Sequence, residues 1–231
     1  PTYPAVDCIG DWLDEAPAAN TTISGTVTVV YQNNLDLFVQ DETGTVLVYG
    51  SLPHTYESGD QLSGITGKYK AFNMLPQFTP VSTTFGEPTG KTAAIKPAKV
   101  TLADVDVQNL EHYVTVSGLE IVSETTTADD KTTTTYYATD GTNKVEIYNR
   151  YRLETLAEAS DVTITGFVWI YGNDNTPTKI ELVPTEISDN AAITEISADA
   201  AAGQVYDLLG RRVVAPTRGL YIIGGRKVLV K

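Results

Sequence analysis

The chain has 231 residues, of which 42% are apolar and 19% charged, and a net charge of −13. That is enough apolar residue for one large domain or two small ones, while so acidic a chain repels phosphate backbones and argues against a nucleic-acid partner. One cysteine excludes an internal disulfide and a multi-cysteine metal site, and the lack of an apolar run near 18 residues excludes a membrane-spanning helix.

Valine, threonine and tyrosine are plentiful, a bias that suits half-buried pleated surfaces. The chain opens at Pro1-Thr2-Tyr3 without Met, the start expected of a mature or truncated chain whose leader is gone. Cys8 reads as a small buried hydrophobe. Ile9 to Glu15 reads as a short helix whose Trp12 and Leu13 are placed to cap a barrel. A first strand then alternates Ile23, Gly25, Val27 and Val29 with polar residues. A second carries Leu35, Leu37 and Val39 on one face and Phe38 and Gln40 on the other. Asp41 to Gly44 supplies turn chemistry. A third strand turns Val46 and Val48 inward, Leu47 and Tyr49 outward. After a Pro-containing connector (Ser51 to Gly59), strands four and five are expected at about Gln61 to Tyr69 and Leu75 to Val81.

The same order then recurs. Phe38 to Tyr49 aligns without a gap on Tyr137 to Tyr148, an offset of 99, and Ile65-Thr66-Gly67 falls on Ile164-Thr165-Gly166 at that offset. Thr22-Ile23-Ser24-Gly25 matches Thr115-Val116-Ser117-Gly118. Val100 to Leu110 is the second lead-in, with Thr101 and Asp104 in a loose capping-box pattern. A short helical connector is expected near Leu153 to Ala159. The fold class that follows is all-β, with two tandem five-stranded OB-type barrels and a C-terminal β-hairpin meander. A pair of small β-sandwiches is the alternative. The domains are residues 1–86 (first barrel with its helical lead-in), 87–99 (a Pro/Gly/Thr-rich linker), 100–190 (second barrel) and 191–231 (a β-rich tail).

The tail differs in charge. From Gly203 to Lys231 there are six basic residues against Asp207 alone, +5, which leaves −18 for the rest. Its short strands at Gln204 to Leu209, Arg211 to Val214, Gly219 to Ile223 and Arg226 to Val230 are punctuated by Gly and Pro. They could equally staple the second barrel, basic residues against an acidic body.

The run Thr22 to Gly50, with Val39-Gln40-Asp41-Glu42-Thr43-Gly44 at its turn, resembles the OB-type domains of exported Bacteroidetes-type proteins. Copy two departs from that pattern at Asn143. The tail segments Val205-Tyr206-Asp207-Leu208-Leu209-Gly210-Arg211-Arg212, Gly219-Leu220-Tyr221-Ile222 and Gly225-Arg226-Lys227-Val228 resemble C-terminal sorting domains of the type IX secretion system. The resemblance implies an extracytoplasmic protein: secreted, periplasmic or at the cell surface.

No phosphate-binding loop or Gly-x-Ser-x-Gly elbow is present, and neither His54 nor His112 sits in a pattern that assembles a triad. Glu124, Asp129, Asp130 and Asp174 lack the spacing of a calcium loop. No metal, cofactor or catalytic residue is therefore assigned. Copy two is longer in the segments joining strands 1–2 and 4–5. Gly118 to Asp140 spans 22 residues where Gly25 to Asp41 spans 16, and Gly172 to Thr176 extends the second loop. OB folds use these two loops for ligands. The candidate ligand residues are Tyr137, Tyr148, Trp169, Tyr171, Asn173 and Asp174, whose rings can stack on a flat ligand. Packing under a neighbouring barrel is the other use for such rings.

The function expected from the sequence is an exported, non-catalytic binding or adhesion protein, with a glycan as the favoured ligand or surface partner. A structural spacer or accessory region of a larger exported protein is the alternative. An enzyme, or a nucleic-acid-binding OB protein, comes third.

Overall fold

Alternating apolar and polar residues wind the first half of the chain into a closed barrel. A computed structural model describes residues 2–90, 93–173, 176–189, 194–195, 205–207, 212–213, 216–223 and 226–230. It divides into two units, Pro1–Ser188 and Asp189–Lys231. In the first unit, β1 (Ala5–Val6) and α1 (Ile9–Glu15) lead into β2 (Thr21–Asn33), β3 (Asp36–Gln40), β4 (Thr45–Tyr49), β5 (Gln61–Phe72) and β6 (Leu75–Pro80). These pair as β2–β3–β4–β6–β5, and β5 returns to β2, which closes a five-stranded barrel. The link between β4 and β6 is parallel. All other pairs in that ring are antiparallel, so the barrel is OB-like.

Inside it pack Ile23, Val27, Val29, Leu37, Val39, Val46, Val48 and Ile65. Trp12 is fully buried and lies 4.8 Å from Phe78, ring to ring, so α1 plugs the barrel as its sequence indicates. Cys8, expected to be buried, is half-buried.

The second copy begins after β7 (Ala98–Lys99) and comprises β8 (Tyr113–Ala128), β9 (Lys131–Thr139), β10 (Lys144–Ile147), β11 (Ala159–Asn173) and β12 (Thr176–Asp189). Its pairings run β8–β9–β10–β12–β11, with β11 also on β8, and β10 and β12 are parallel. Val114, Val116, Leu119, Ile121, Ile147, Val162, Ile164 and Leu182 fill its interior. The lead-in expected as helix is two 3-10 turns, Leu102–Asp104 and Val107–Asn109. The capping residues are as expected: Asp104 accepts from both the Thr101 N–H (2.8 Å) and its hydroxyl (2.7 Å).

The repeated motifs have physical causes. In each copy the turn aspartate accepts backbone N–H bonds from the residues that follow: Asp41 from Thr43 and Gly44, Asp140 from Thr142 and Asn143. The repeated Ile-Thr-Gly marks a close approach of neighbouring strands. A Cβ at Gly67 would lie 2.2 Å from the Phe78 ring, and one at Gly166 would lie 2.1 Å from the Val183 carbonyl oxygen. Only glycine fits either place.

The outward faces of the two copies meet. Phe38 and Leu47 from β3 and β4, with Leu75 from β6, pack against Phe167, Trp169 and Val183 from β11 and β12. Phe38 stacks on Phe167 at 3.6 Å and 11°. This third cluster puts apolar residues on both faces of β3 and β4, which is why Leu37 to Val39 reads as continuous hydrophobe. At one end of the seam Arg150 grips Asp36 with two guanidinium nitrogens, and the Tyr151 hydroxyl donates to the same carboxylate at 3.2 Å. At the other, the Gly172 N–H donates to the Asn73 carbonyl at 3.0 Å.

The second unit is a separate sheet of β13 (Thr194–Glu195), β14 (Val205–Tyr206), β15 (Arg212–Val213), β16 (Gly219–Ile223) and β17 (Arg226–Val230), in the order β13-β17-β16-β14-β15. A simple meander was expected. Instead β14 lies between β15 and β16 and pairs antiparallel with both.

Candidate functional site

A groove of about 570 Å³ runs along the seam. The first barrel contributes Tyr49 from the end of β4, Lys70 and Phe72 from β5 and Gln77 from β6; the second sheet contributes Glu146, Tyr148, Arg150, Trp169, Tyr171, Lys179 and Glu181. A second hollow of about 230 Å³ continues it past Tyr49, Tyr148 and Arg150 to Asn33, Asn34 and Asp36. The two make one track, since those three residues line both.

Strand alternation places these side chains. Tyr49 stands on the outward face with Leu47, one step beyond the seam core, and is 40% exposed. Tyr148 and Tyr171 take the corresponding marginal positions on the second sheet, 40% and 48% exposed. Trp169 is buried, its ring 6.4 Å from Tyr148 and 6.3 Å from Phe38. The Arg150 guanidinium lies over its face at 4.9 Å. Lys179 pairs with Glu146 at 2.8 Å. Burial, with Glu146 alongside, pushes the Glu181 carboxyl up to about 7.

Of the residues named from sequence, Tyr148, Trp169 and Tyr171 converge on the groove. Tyr137 does not line it. It stands opposite Glu146 across the β9–β10 ladder, under the Lys144 ammonium at 4.1 Å. Asn173 ends β11, and its side chain, like Asp174, lies outside the described residues. The longer segment joining strands 1–2 of copy two, within Gly118 to Asp140, was expected to help form the site as a loop, and for its residues Glu124 to Thr135 that expectation is corrected. Those residues form a regular hairpin, Glu124 opposite Thr135 through Ala128 opposite Lys131, and none lines the groove. A run of β-branched threonines favours strand over loop. The first barrel supplies the opposite wall, through Tyr49, Lys70, Phe72 and Gln77. Gln77 and Glu181 were missed altogether, because no local pattern distinguishes a polar residue at a seam from one in solvent.

The histidines stand apart from one another. His54 faces Glu87 at 3.4 Å. His112 is half-buried, and burial lowers its pKa. Among the described residues no helix is long and apolar enough to cross a membrane.

The fold and groove define a class: a mostly β protein with one closed OB-like barrel and a second sheet docked on it along an aromatic-walled seam. No family profile and no curated protein matches the chain. Solved structures do. One is a murine DNA-binding protein with double-stranded DNA bound (14% identity, 71% of this chain and 97% of that one, TM-score 0.36). Another is the tetrameric p202 HIN2 (14% identity, 74% and 93%, TM-score 0.36). A third is the p204 HINb domain (12% identity, 71% and 94%, TM-score 0.34). The expectation was a glycan-binding adhesion module with no nucleic-acid partner; against it, one of these chains is described as bound to double-stranded DNA. The physical fault in that expectation was to apply a whole-chain charge to a local surface. The chain carries −13, but the joined track sets three cations (Lys70, Arg150, Lys179) against three carboxylates (Asp36, Glu146, Glu181) and is locally balanced.

Proposed function

We propose that residues 2–188 are a pair of OB-type barrels that bind single-stranded nucleic acid along their seam and catalyse nothing. One observation carries this reading: exposed rings from both copies, Tyr49, Tyr148 and Tyr171, line one continuous track with Lys70, Arg150 and Lys179 among them. Bases stack on such rings for about 1–3 kcal/mol each whatever their sequence. A track of two joined hollows suits a strand better than a single small molecule. A duplex keeps its base faces inside its own stack, so exposed rings favour an unpaired strand. The ring of pairings β8–β9–β10–β12–β11–β8 supports a second OB-type barrel beside the first.

The test is fluorescence anisotropy with a labelled ten-nucleotide single strand and its duplex. Single-strand binding is expected, with at least a tenfold loss in the double variant Tyr148→Ala/Tyr171→Ala, by the stacking energies above. No binding to either probe would return the module to a spacer role. The extracytoplasmic location and the sorting role of the tail also stand as proposals, carried by the tail motif; fractionation of the host cells tests both.

A further inference from the structure

Two polar side chains at the groove take no hydrogen bond from the described residues, although Glu181 feels the charges of Lys179 and Glu146. Gln77 is 5% exposed and Glu181 6%. Both line the groove, one from each side of the seam. Neither side chain has a hydrogen-bond partner among the described residues, whereas the neighbouring polar groups are engaged: Lys179 with Glu146, Arg150 with Asp36. The buried polar atoms left without a partner among the described residues are Trp12 Nε1 and Asp60 Oδ1, so the polar heads of Gln77 and Glu181 open onto the groove. Both line the groove together with Tyr148 and Tyr171, the rings that would hold a base by its face.

Resting on the nucleic-acid reading above, we propose that Glu181, with Gln77 across the seam, reads the edge of the stacked base and selects bases that carry an exocyclic amino group over thymine and uracil. A carboxylate only accepts hydrogen bonds. It receives the N4 amino group of cytosine, a pairing carboxylates make in base recognition. Against thymine the same carboxylate meets the O4 carbonyl, acceptor against acceptor. Gln77, with an amide that both donates and accepts, satisfies whichever group remains. The pair therefore sets which base is held, while the tyrosines set how firmly any base is held.

The experiment compares ten-nucleotide oligo-dC and oligo-dT on residues 1–231 at pH 8.5, above the value of about 7 to which burial raises the Glu181 carboxyl. Cytosine and thymine are single-ring bases of similar stacking area, so their difference reports the edge. The wild type is expected to bind oligo-dC about tenfold more tightly, within the range of one good base contact. Glu181→Gln, which restores a donor to that position, should bring the two within about twofold by strengthening oligo-dT. It removes a buried charge at constant shape and should fold as well as the wild type. Equal binding of both strands by the wild type, lost in Tyr148→Ala/Tyr171→Ala, would overturn the edge-reading role and leave the seam reading intact. A preference for oligo-dC that survives in Glu181→Gln would also overturn it. Failure of both strands to bind at all would overturn the seam reading itself and this inference with it.

Discussion

The two copies share a strand plan but not a fate for their outward faces. At the offset of 99, Phe38 corresponds to Tyr137 and Leu47 to Glu146, while Tyr49 corresponds to Tyr148. In the first copy Phe38 and Leu47 are fully buried, because that face of β3 and β4 docks on β11 and β12 of the second. In the second copy the same positions are not covered, and Tyr137 and Glu146 keep access to solvent. The copies meet through unlike surfaces, as in a heterologous interface. Such an arrangement must leave one copy's corresponding face free. That free face, beside the edge of the seam, is where Tyr148, Glu146 and Glu181 gather.

The sharpest way to break this comparison is to truncate the corresponding rings. Phe38→Ala should cost about 3–5 kcal/mol, the range for a fully buried aromatic, while Tyr137→Ala should cost under about 1 kcal/mol, as a half-exposed position does. Urea unfolding of both variants reads the difference, and similar losses would mean that the two faces are equally covered.

Next in size is the clamp between copies. Asp36→Ala strands Arg150. A fully buried partner would cost about 3–5 kcal/mol, but the Arg150 side chain is 25% exposed, so roughly 2–3 kcal/mol is expected. The loss should shrink in the double variant Asp36→Ala/Arg150→Met, where no charge is left alone.

A smaller effect comes from Glu111, buried where the copies meet. Its carboxyl accepts the Leu47 N–H at 3.3 Å, and its own N–H donates to the Val168 carbonyl at 2.8 Å. Burial raises its pKa well above the ordinary 4.5, so the folded state favours the protonated form. Its contribution is whole below about 4.5 and is lost as pH rises from there toward the raised folded value. Glu111→Gln keeps an acceptor for Leu47 and cannot ionise. It should be more stable than wild type at neutral pH and should flatten the fall in stability with rising pH. Chemical denaturation at pH 4.5, 6 and 8 checks this; parallel curves for the two proteins would place the titrating group elsewhere.

The smallest expected effect concerns salt. With only Lys70, Arg150 and Lys179 along the track and two of the three already paired, single-strand binding should weaken with a log–log salt slope no steeper than about −2, three phosphates at most being neutralised. A steeper slope would move the interface to another, more basic surface.

Much of this architecture was legible from local pattern. Period-two alternation identified the strands of both copies, Asp41 and Asp140 their turns, and Thr101 and Asp104 a cap, while Gly67 and Gly166 showed only as a repeat whose cause is the crowding of strands. These features depend on neighbours a few residues away, or on a face that must be apolar wherever its partner comes from. Tyr148, Trp169 and Tyr171 could be named as rings able to stack on a ligand, but alternation cannot say which outward face will be covered. Burial of Phe38, the pairing of Asp36 with Arg150 from 114 residues away, and the meeting of Gln77 with Glu181 at one groove were decided by how the copies dock. The same holds for the charge around the groove, which a sum over the chain obscures. Sequence determined the repeated fold, because backbone geometry and hydrophobic period are local; tertiary structure decided the site, because a seam exists only between two surfaces.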